Sequence, residues 1–309
     1  MMTELFSPEG RFYKGNLHAH TTLSDGRISP EECIELFKEH GYDFLSITDH
    51  RKWFPGYEDE DILVIPGTEF DRNMLKGRPE YAYHITGVGL SRPLEQTNEM
   101  SPQAIVDMIK ADGAFCTLAH PIWSLMTFEM CADLKGYDAI EIYNTVSDVY
   151  SGRGYSDLYV DMLASQGIYK LVTAVDDCHF YDRDPERGGI NRDACVGYIM
   201  VQAKERTWPA LYQAMMDGHF YASQGPSITR LAYDEEGVTV ETSECSAIRF
   251  MSNELYDRFR TAFPENSKKP LTAAYYRWGS YDRYVRVEVT DAEGKKAWSN
   301  PIQRPKMKI

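Results

Sequence analysis

Phe44-Leu45-Ser46-Ile47-Thr48-Asp49-His50 is the stretch on which the fold turns. A short, nearly continuous apolar run of this length reads as a buried strand, and it stops abruptly on two polar residues. Upstream, Ser29-Pro30-Glu31-Glu32 reads as a helix start, with serine as N-cap, proline at the first helical position and Glu32 placed to close a capping box. Cys33, Ile34, Leu36 and Phe37 supply the apolar face of that helix, and Gly41 stands where a C-terminal cap belongs. The unit recurs. Ser101-Pro102-Gln103 opens a second helix carrying Ile105, Val106, Met108 and Ile109, Asp112-Gly113 stops it, and Ala114-Phe115-Cys116-Thr117-Leu118 runs on to His120. In the same way Leu63-Val64-Ile65 leads to Glu69, Ala139-Ile140-Glu141-Ile142 to Asn144, and Leu171-Val172-Thr173-Ala174-Val175 to Asp176 and Asp177.

Strands separated by helices imply βαβ units and a parallel sheet. Polar residues just past the C-terminal ends of successive strands are how a βα barrel assembles its site. The expectation is therefore an α/β barrel over residues 1–222. A flat doubly wound sheet is the competing architecture, but its site would draw on fewer strands. Beyond residue 222 the pattern changes. Gly225-Pro226 breaks the chain, and short alternating runs follow at Gly237–Thr242, Ala247–Met251 and Tyr284–Val289. These predict a small antiparallel β-sandwich over residues 223–309. Tyr275, Tyr276, Trp278 and Tyr281 form an aromatic group suited either to a subunit contact, and so to a homo-oligomer, or to the sandwich's own core.

The 309 residues carry a formal net charge of −14, placed unevenly: 19 basic against 35 acidic residues up to Gly225, and 14 against 12 from Pro226 onward. A nucleic-acid-coating protein needs basic stripes, so that class is excluded, and a small-molecule partner is expected instead. The six cysteines show no paired motif, which points to free thiols in a reducing compartment. No apolar run is long enough to span a bilayer and the opening residues lack a basic segment before an apolar core, so the expected setting is cytoplasmic.

Six of the eight histidines fall in one ordered series with carboxylates: His18, His20, Asp25, His50, Glu69, His84, His120, Asp177 and His179. Imidazole plus carboxylate without thiolate is the ligand mix of hydrolytic zinc, manganese or iron sites. His18 and His20 share one face of an extended segment, because side chains alternate there with period two. Any one histidine alone reads as a core or surface residue, and His40 and His219 are read that way. Cys178, between two series members, points to the opposite face and reads as packing.

His18-Ala19-His20-Thr21-Thr22-Leu23-Ser24-Asp25-Gly26, then Ile47-Thr48-Asp49-His50, Gly67-Thr68-Glu69, His84, Ala119-His120-Pro121 and Asp177-Cys178-His179, resemble the polymerase and histidinol phosphatase (PHP) family of metal-dependent phosphoesterases. The resemblance covers about residues 10 to 222. It implies a distorted (β/α)7 TIM-like barrel with a trinuclear metal site, filled by two or three divalent ions. By that resemblance His18, His20, Glu69 and Asp177 hold one ion, Glu69 bridges to a second held by His84 and His120, and Asp25, His50 and His179 hold a third. The tail, with Ala297-Trp298-Ser299-Asn300-Pro301-Ile302, resembles the β domain of a branch whose members include a carbamate-ester hydrolase.

Cations held this close shift a bridging water toward hydroxide, so no serine or cysteine nucleophile is required. The expected activity is phosphoester hydrolysis of a phosphomonoester, small phosphodiester or nucleotide, acting through Glu69, Asp25 and His179. Carboxyl or carbamate ester hydrolysis by the same cluster and a non-catalytic metal-stabilised scaffold are the alternatives. Arg153, Arg192 and Asn144 follow site-bearing strands and are candidate substrate contacts. Trp53, Phe54 and Tyr57 read equally as pocket wall or loop packing.

Overall fold

The computed structural model describes residues 2–73, 82–183, 189–255, 258–266 and 269–305. The two helices read from the sequence form as Pro30–Glu39 and Pro102–Ala111, capped by Ser29 and Ser101. The capping box is complete: Glu32 N donates to Ser29 Oγ at 3.2 Å, and Ser29 N donates to Glu32 Oε2 at 3.0 Å. His40 closes the first helix and Gly41 follows it in the left-handed region (φ +71), where a side chain would be strained.

The architecture is mixed α/β, with few helices and one large sheet. From Phe220–Ser223 the strand order runs through Tyr198–Gln202, Phe12–Asn16, Phe44–Ile47, Leu63–Asn73, Ala82–Val88, Phe115–Leu118 and Ala139–Asn144 to Leu171–Val175. The uniformly parallel sheet expected from βαβ repeats is only part of this. Two parallel groups, Phe12–Asn16 to Leu63–Asn73 and Phe115–Leu118 to Leu171–Val175, flank the strand Ala82–Val88, which is antiparallel to both neighbours. The cause is the 11-residue strand Leu63–Asn73, which continues past Glu69 and pairs directly with the next strand. His84 therefore lies within a strand rather than beyond one.

The segments that follow the first and last strands of these parallel groups meet. Ala19 and Cys178 form a parallel bridge, with His20 N donating to Cys178 O and Asp177 N donating to His18 O, each at 2.9 Å. Their side chains alternate. Ala19 and Cys178 point into an apolar cluster with Ile34, Phe37 and Ile47, so the residues on either side of them face the opposite way, toward one another.

The later strands form antiparallel ladders, and they do not separate cleanly at residue 222. Thr3–Phe6, from the chain's beginning, pairs with Ile228–Tyr233 at the edge of a four-stranded sheet. Lys296–Ser299 pairs with Phe220–Ser223 and so extends the large sheet into the tail. Phe6 and Tyr221 share an apolar core with Ile228, Val240, Phe250 and Val287. The aromatic group divides: Tyr276 and Trp278 are buried, while Tyr275 and Tyr281 are exposed. Two side chains tie the tail to the preceding part. Fully buried Arg286 pairs its guanidinium with both carboxylate oxygens of Asp161, at 3.0 and 2.7 Å. Trp298 stacks on Tyr143 at 6.0 Å between ring centres, in the larger core. Among the described residues no helix is long and apolar enough to cross a membrane.

Trp298 is the larger of these anchors by apolar area. Trp298→Ala is expected to cost about 3–5 kcal/mol, the usual price of emptying a buried indole site, read as a lower urea midpoint. A loss under about 1 kcal/mol would show that the tail packs independently of the core.

Candidate metal centre

Each member of the histidine–carboxylate series reaches one place through a definite local device. His18 and His20 sit on the extended segment after Phe12–Asn16, with His18 N held by Asn16 Oδ1 at 3.0 Å. The loop that follows is folded back by Asp49, which accepts from Thr21 N (2.8 Å), Thr21 Oγ1 (2.6 Å), Ser24 N (3.1 Å) and Ser24 Oγ (2.5 Å). A Cβ on Gly26 would lie 2.5 Å from the carbonyl oxygen of His20, so only glycine lets the loop turn there and set Asp25 over the cluster. His120 (φ 24) and Asp177 (φ 52) both occupy the left-handed region without being glycine. Such backbone strain persists only where the surroundings over-determine it, and it clusters at functional sites.

At the centre four atoms converge. His18 Nε2 lies 3.1 Å from His20 Nε2, 3.3 Å from Glu69 Oε2 and 3.2 Å from Asp177 Oδ1. His20 Nε2 lies 3.2 Å from Glu69 Oε2 and 2.9 Å from Asp177 Oδ1. A tetrahedron of ligands at metal–ligand distances near 2.0–2.1 Å has edges of roughly 3.3–3.4 Å, so the spacing suits one small cation. Glu69 Oε1 is 2.9 Å from His84 Nδ1 and 3.4 Å from His120 Nε2. On the open side Asp25 stands 3.5 Å from His179 Nε2, 3.7 Å from His20 Nδ1 and 3.8 Å from His50 Nε2. All nine residues of the series are thus brought together, and three overlapping donor groups among them could hold a metal ion. His40 is not part of this, since its Nδ1 caps its own helix at Leu36 O.

The donor chemistry fits a cation better than a hydrogen-bond network. Glu69 Oε2, Asp177 Oδ1 and His50 Nδ1 are buried with no hydrogen-bond partner among the described residues. Imidazole nitrogens stand at charge-pair distance from the two carboxylate oxygens, but not in hydrogen-bond geometry. Unpaired carboxylate oxygens in an interior are costly, and a cation removes the cost. Without one, protons take its place. Burial alone would push the His20 imidazole down, yet Asp177 and Glu69 outweigh it and hold His20 up to about 10. Burial would push Glu69 and Asp177 up, but the surrounding histidines, His18 foremost, hold both well below the usual carboxylate range.

A second layer fixes these groups. Glu141 Oε1 takes His18 Nδ1 at 2.7 Å, and Glu141 Oε2 accepts from His120 N at 2.8 Å and Asn144 Nδ2 at 2.9 Å. Asp193 accepts from the backbone N–H groups of His179 and Phe180, both at 2.9 Å. Asp176 accepts from Asn16, Thr145 and the backbone of Cys195, Val196 and Gly197. None of these roles was read from the sequence. Glu141 carried a usable signal, a carboxylate inside an otherwise apolar strand, and Asp176 another, at the end of its strand.

The cavity over the cluster holds about 190 Å³ and is walled by Trp123, Val146, Tyr150 and Tyr181. The three candidate substrate contacts are not among its lining residues. Asn144 is buried, its amide spent on Glu141, on Asp177 at 3.1 Å and on capping the helix Thr145–Ser151 through Ser147 N. Arg192 is held by Asp182 at 2.6 Å, and Arg153 is exposed beyond Gly152. Gly188, in the glycine-rich stretch before Arg192, lies outside the described residues. Trp53 and Phe54 pack against two apolar clusters, as the packing alternative has it, whereas Tyr57 is exposed and belongs to neither cluster nor the cavity wall.

The mixed α/β fold is similar to that of a solved two-domain structure. Along 96% of both chains it matches the crystal structure of a two-domain protein from Bacteroides vulgatus containing a predicted PHP-like metal-dependent phosphoesterase, at 20% identity and a TM-score of 0.53. Two further structures cover 53% of this chain and 87% of their own. One is a candidate metal-dependent phosphoesterase from Bifidobacterium adolescentis (13% identity, TM-score 0.39). The other is an amidohydrolase from Chromobacterium violaceum with bound sulfate and no metal (17% identity, TM-score 0.38). No protein-family model and no curated protein matches the chain.

Glu141 and His20 give two tests. Glu141→Gln is expected to weaken divalent-metal binding about 10- to 100-fold with an unchanged circular dichroism spectrum, because it orients His18 and the His120 backbone without reaching the cluster centre itself. Unchanged affinity would remove Glu141 from the site. Since His20 is raised, metal-free protein carries a proton there at pH 8 that metal must displace. Calorimetry in buffers of different ionisation enthalpy should show at least one proton released per chain, and affinity should fall as pH is lowered. By linkage, His20's contribution to metal-free stability is full below its unfolded value near 6.5 and is lost as pH rises through about 10.

Proposed function

We propose that the chain is a metal-dependent hydrolase that cleaves a phosphoester, whether a phosphomonoester, a small phosphodiester or a nucleotide. In this reading the curved sheet of residues 1–222 is a distorted (β/α)7 barrel, and residues 223–309 are an appended β-sandwich completed by the strand Thr3–Phe6. The observation that carries the proposal is the convergence of His18, His20, Glu69 and Asp177 at 2.9–3.3 Å, with two carboxylate oxygens that have no hydrogen-bond partner among the described residues. Those four residues would hold one divalent cation, zinc, manganese or iron. Glu69 would be shared with a second cation held by His84 and His120, and Asp25, His50 and His179 would hold a third. When bound, the cations lower the pKa of water and polarise the ester's oxygen.

The chain's own residues supply position and charge. Glu141 and Asn144 keep His18, His120 and Asp177 in place, and the strained backbone at His120 and Asp177 aims both side chains inward. Asp25 is half exposed at the open side, with its carboxylate held well below the usual range by His179, His20 and His50 against the opposing effect of burial. It therefore stays ionised and available as a donor to a cation at the open side. The substrate is a small molecule, as the cavity volume of about 190 Å³ and the net charge of −14 both favour.

Metal-loaded protein assayed on p-nitrophenyl phosphate, bis-p-nitrophenyl phosphate, nucleotides and p-nitrophenyl acetate tests the proposal. Turnover of a phosphate ester is expected, and Glu69→Gln should lower it by at least about 10²–10³, the cost of one oriented electrostatic element. Turnover of the acetate alone would move the function to carboxyl or carbamate esters. No turnover with full metal occupancy would favour a metal-stabilised scaffold.

A further inference from the structure

Over the cluster, the cavity is walled by aromatic side chains that are braced yet open to solvent. Trp123 follows the strained turn at His120 and sets its ring edge-on against His120 at 4.9 Å and His84 at 5.7 Å. Opposite the strand that carries His84, Tyr181 stacks on His179 at 4.9 Å, and Tyr150 meets Tyr181 edge-on at 5.7 Å. The Tyr150 hydroxyl donates to Asp182 at 2.9 Å, and Asp182 is itself paired with Arg192. Both rings are therefore fixed in direction by groups belonging to the site or its rim. Trp123 is nevertheless 40% exposed and Tyr150 43% exposed.

Large aromatic faces left in water beside a polar cavity mark a surface that a ligand covers. A cavity of about 150 Å³ accommodates benzene, so the 190 Å³ here admits one small flat group above the donor atoms. Rings held in place before the ligand arrives lose little conformational freedom when they are covered, which favours their use in binding.

We infer that Trp123 and Tyr150 form a leaving-group subsite, and that the substrate's ester oxygen carries an aromatic or similarly flat apolar group. This deepens the hydrolase reading and rests on it. Trp123 and Tyr150 touch the departing group rather than the reacting atoms, so they set specificity. Their effect belongs mainly in KM and in ground-state affinity.

Binding of phenylphosphonate and methylphosphonate to the metal-loaded protein, measured by calorimetry, separates this subsite from the chemistry, because neither compound is hydrolysed. The wild-type chain should bind phenylphosphonate about tenfold more tightly than methylphosphonate, the scale of a good aromatic contact. Trp123→Ala should collapse that ratio toward one at unchanged metal content, while Trp123→Phe and Tyr150→Phe, which keep a ring, should preserve most of it. Phenyl and methyl phosphate kinetics should show the same ratio as a difference in KM. Equal affinity of the wild-type protein for the two phosphonates, or a ratio indifferent to Trp123→Ala, would overturn the subsite and leave the hydrolase reading standing. Failure to bind either compound, with no phosphate ester turned over, would overturn the hydrolase reading and the subsite with it.

Discussion

Two buried ionised carboxylates, Glu69 and Asp177, each carry an oxygen that nothing among the described residues satisfies. Burying such charge is unfavourable by several kcal/mol per ion unless a counter-charge meets it. Much of the surrounding architecture serves to keep that arrangement from relaxing. Glu141 clamps His18 and the His120 backbone, Asp49 folds the loop bearing Asp25, and Asp193 holds the turn bearing His179. Protons on His18 and His20 can meet the charge in metal-free protein, and divalent cations meet it better.

The closure between the segments around Ala19 and Cys178 is what brings both ends of the cluster together. The nine donors come from at least six places along the chain, and His18, His20, Asp177 and His179 owe their proximity to two backbone hydrogen bonds across this bridge. The tail contributes no donor among its described residues. It adds strands to the large sheet, buries Trp298 against Tyr143, and places Arg286 on Asp161 in the helix Asp157–Ser165.

The helices and most strands were legible because caps and apolar periodicity are local signals: Ser29 with Glu32, Gly41, and the runs ending at His50 and His120 all form as read. The antiparallel strand Ala82–Val88 was not legible, since a strand's direction is set by its partner and leaves no mark on its own residues. The pairing of Thr3–Phe6 with Ile228–Tyr233 escaped for the same reason, being a contact across more than 200 positions. Within the site, the donor series stood out by residue type and order. Trp123, Tyr150 and Tyr181 did not, because an aromatic residue in a loop looks the same whether it packs or lines a cavity. Asn144 was placed correctly at the end of its strand but given to the substrate, when its amide is in fact consumed by Glu141, Asp177 and Ser147.

Diffraction data collected at zinc, manganese and iron absorption edges, from crystals of protein purified without chelator, test the central claim most directly. An anomalous peak is expected at the point enclosed by His18 Nε2, His20 Nε2, Glu69 Oε2 and Asp177 Oδ1, with at least one further peak on the side of His84 and His120 or of Asp25 and His179. The same map with no anomalous peak, and with Glu69 and Asp177 satisfied by hydrogen bonds from water or protonated histidines, would contradict that claim.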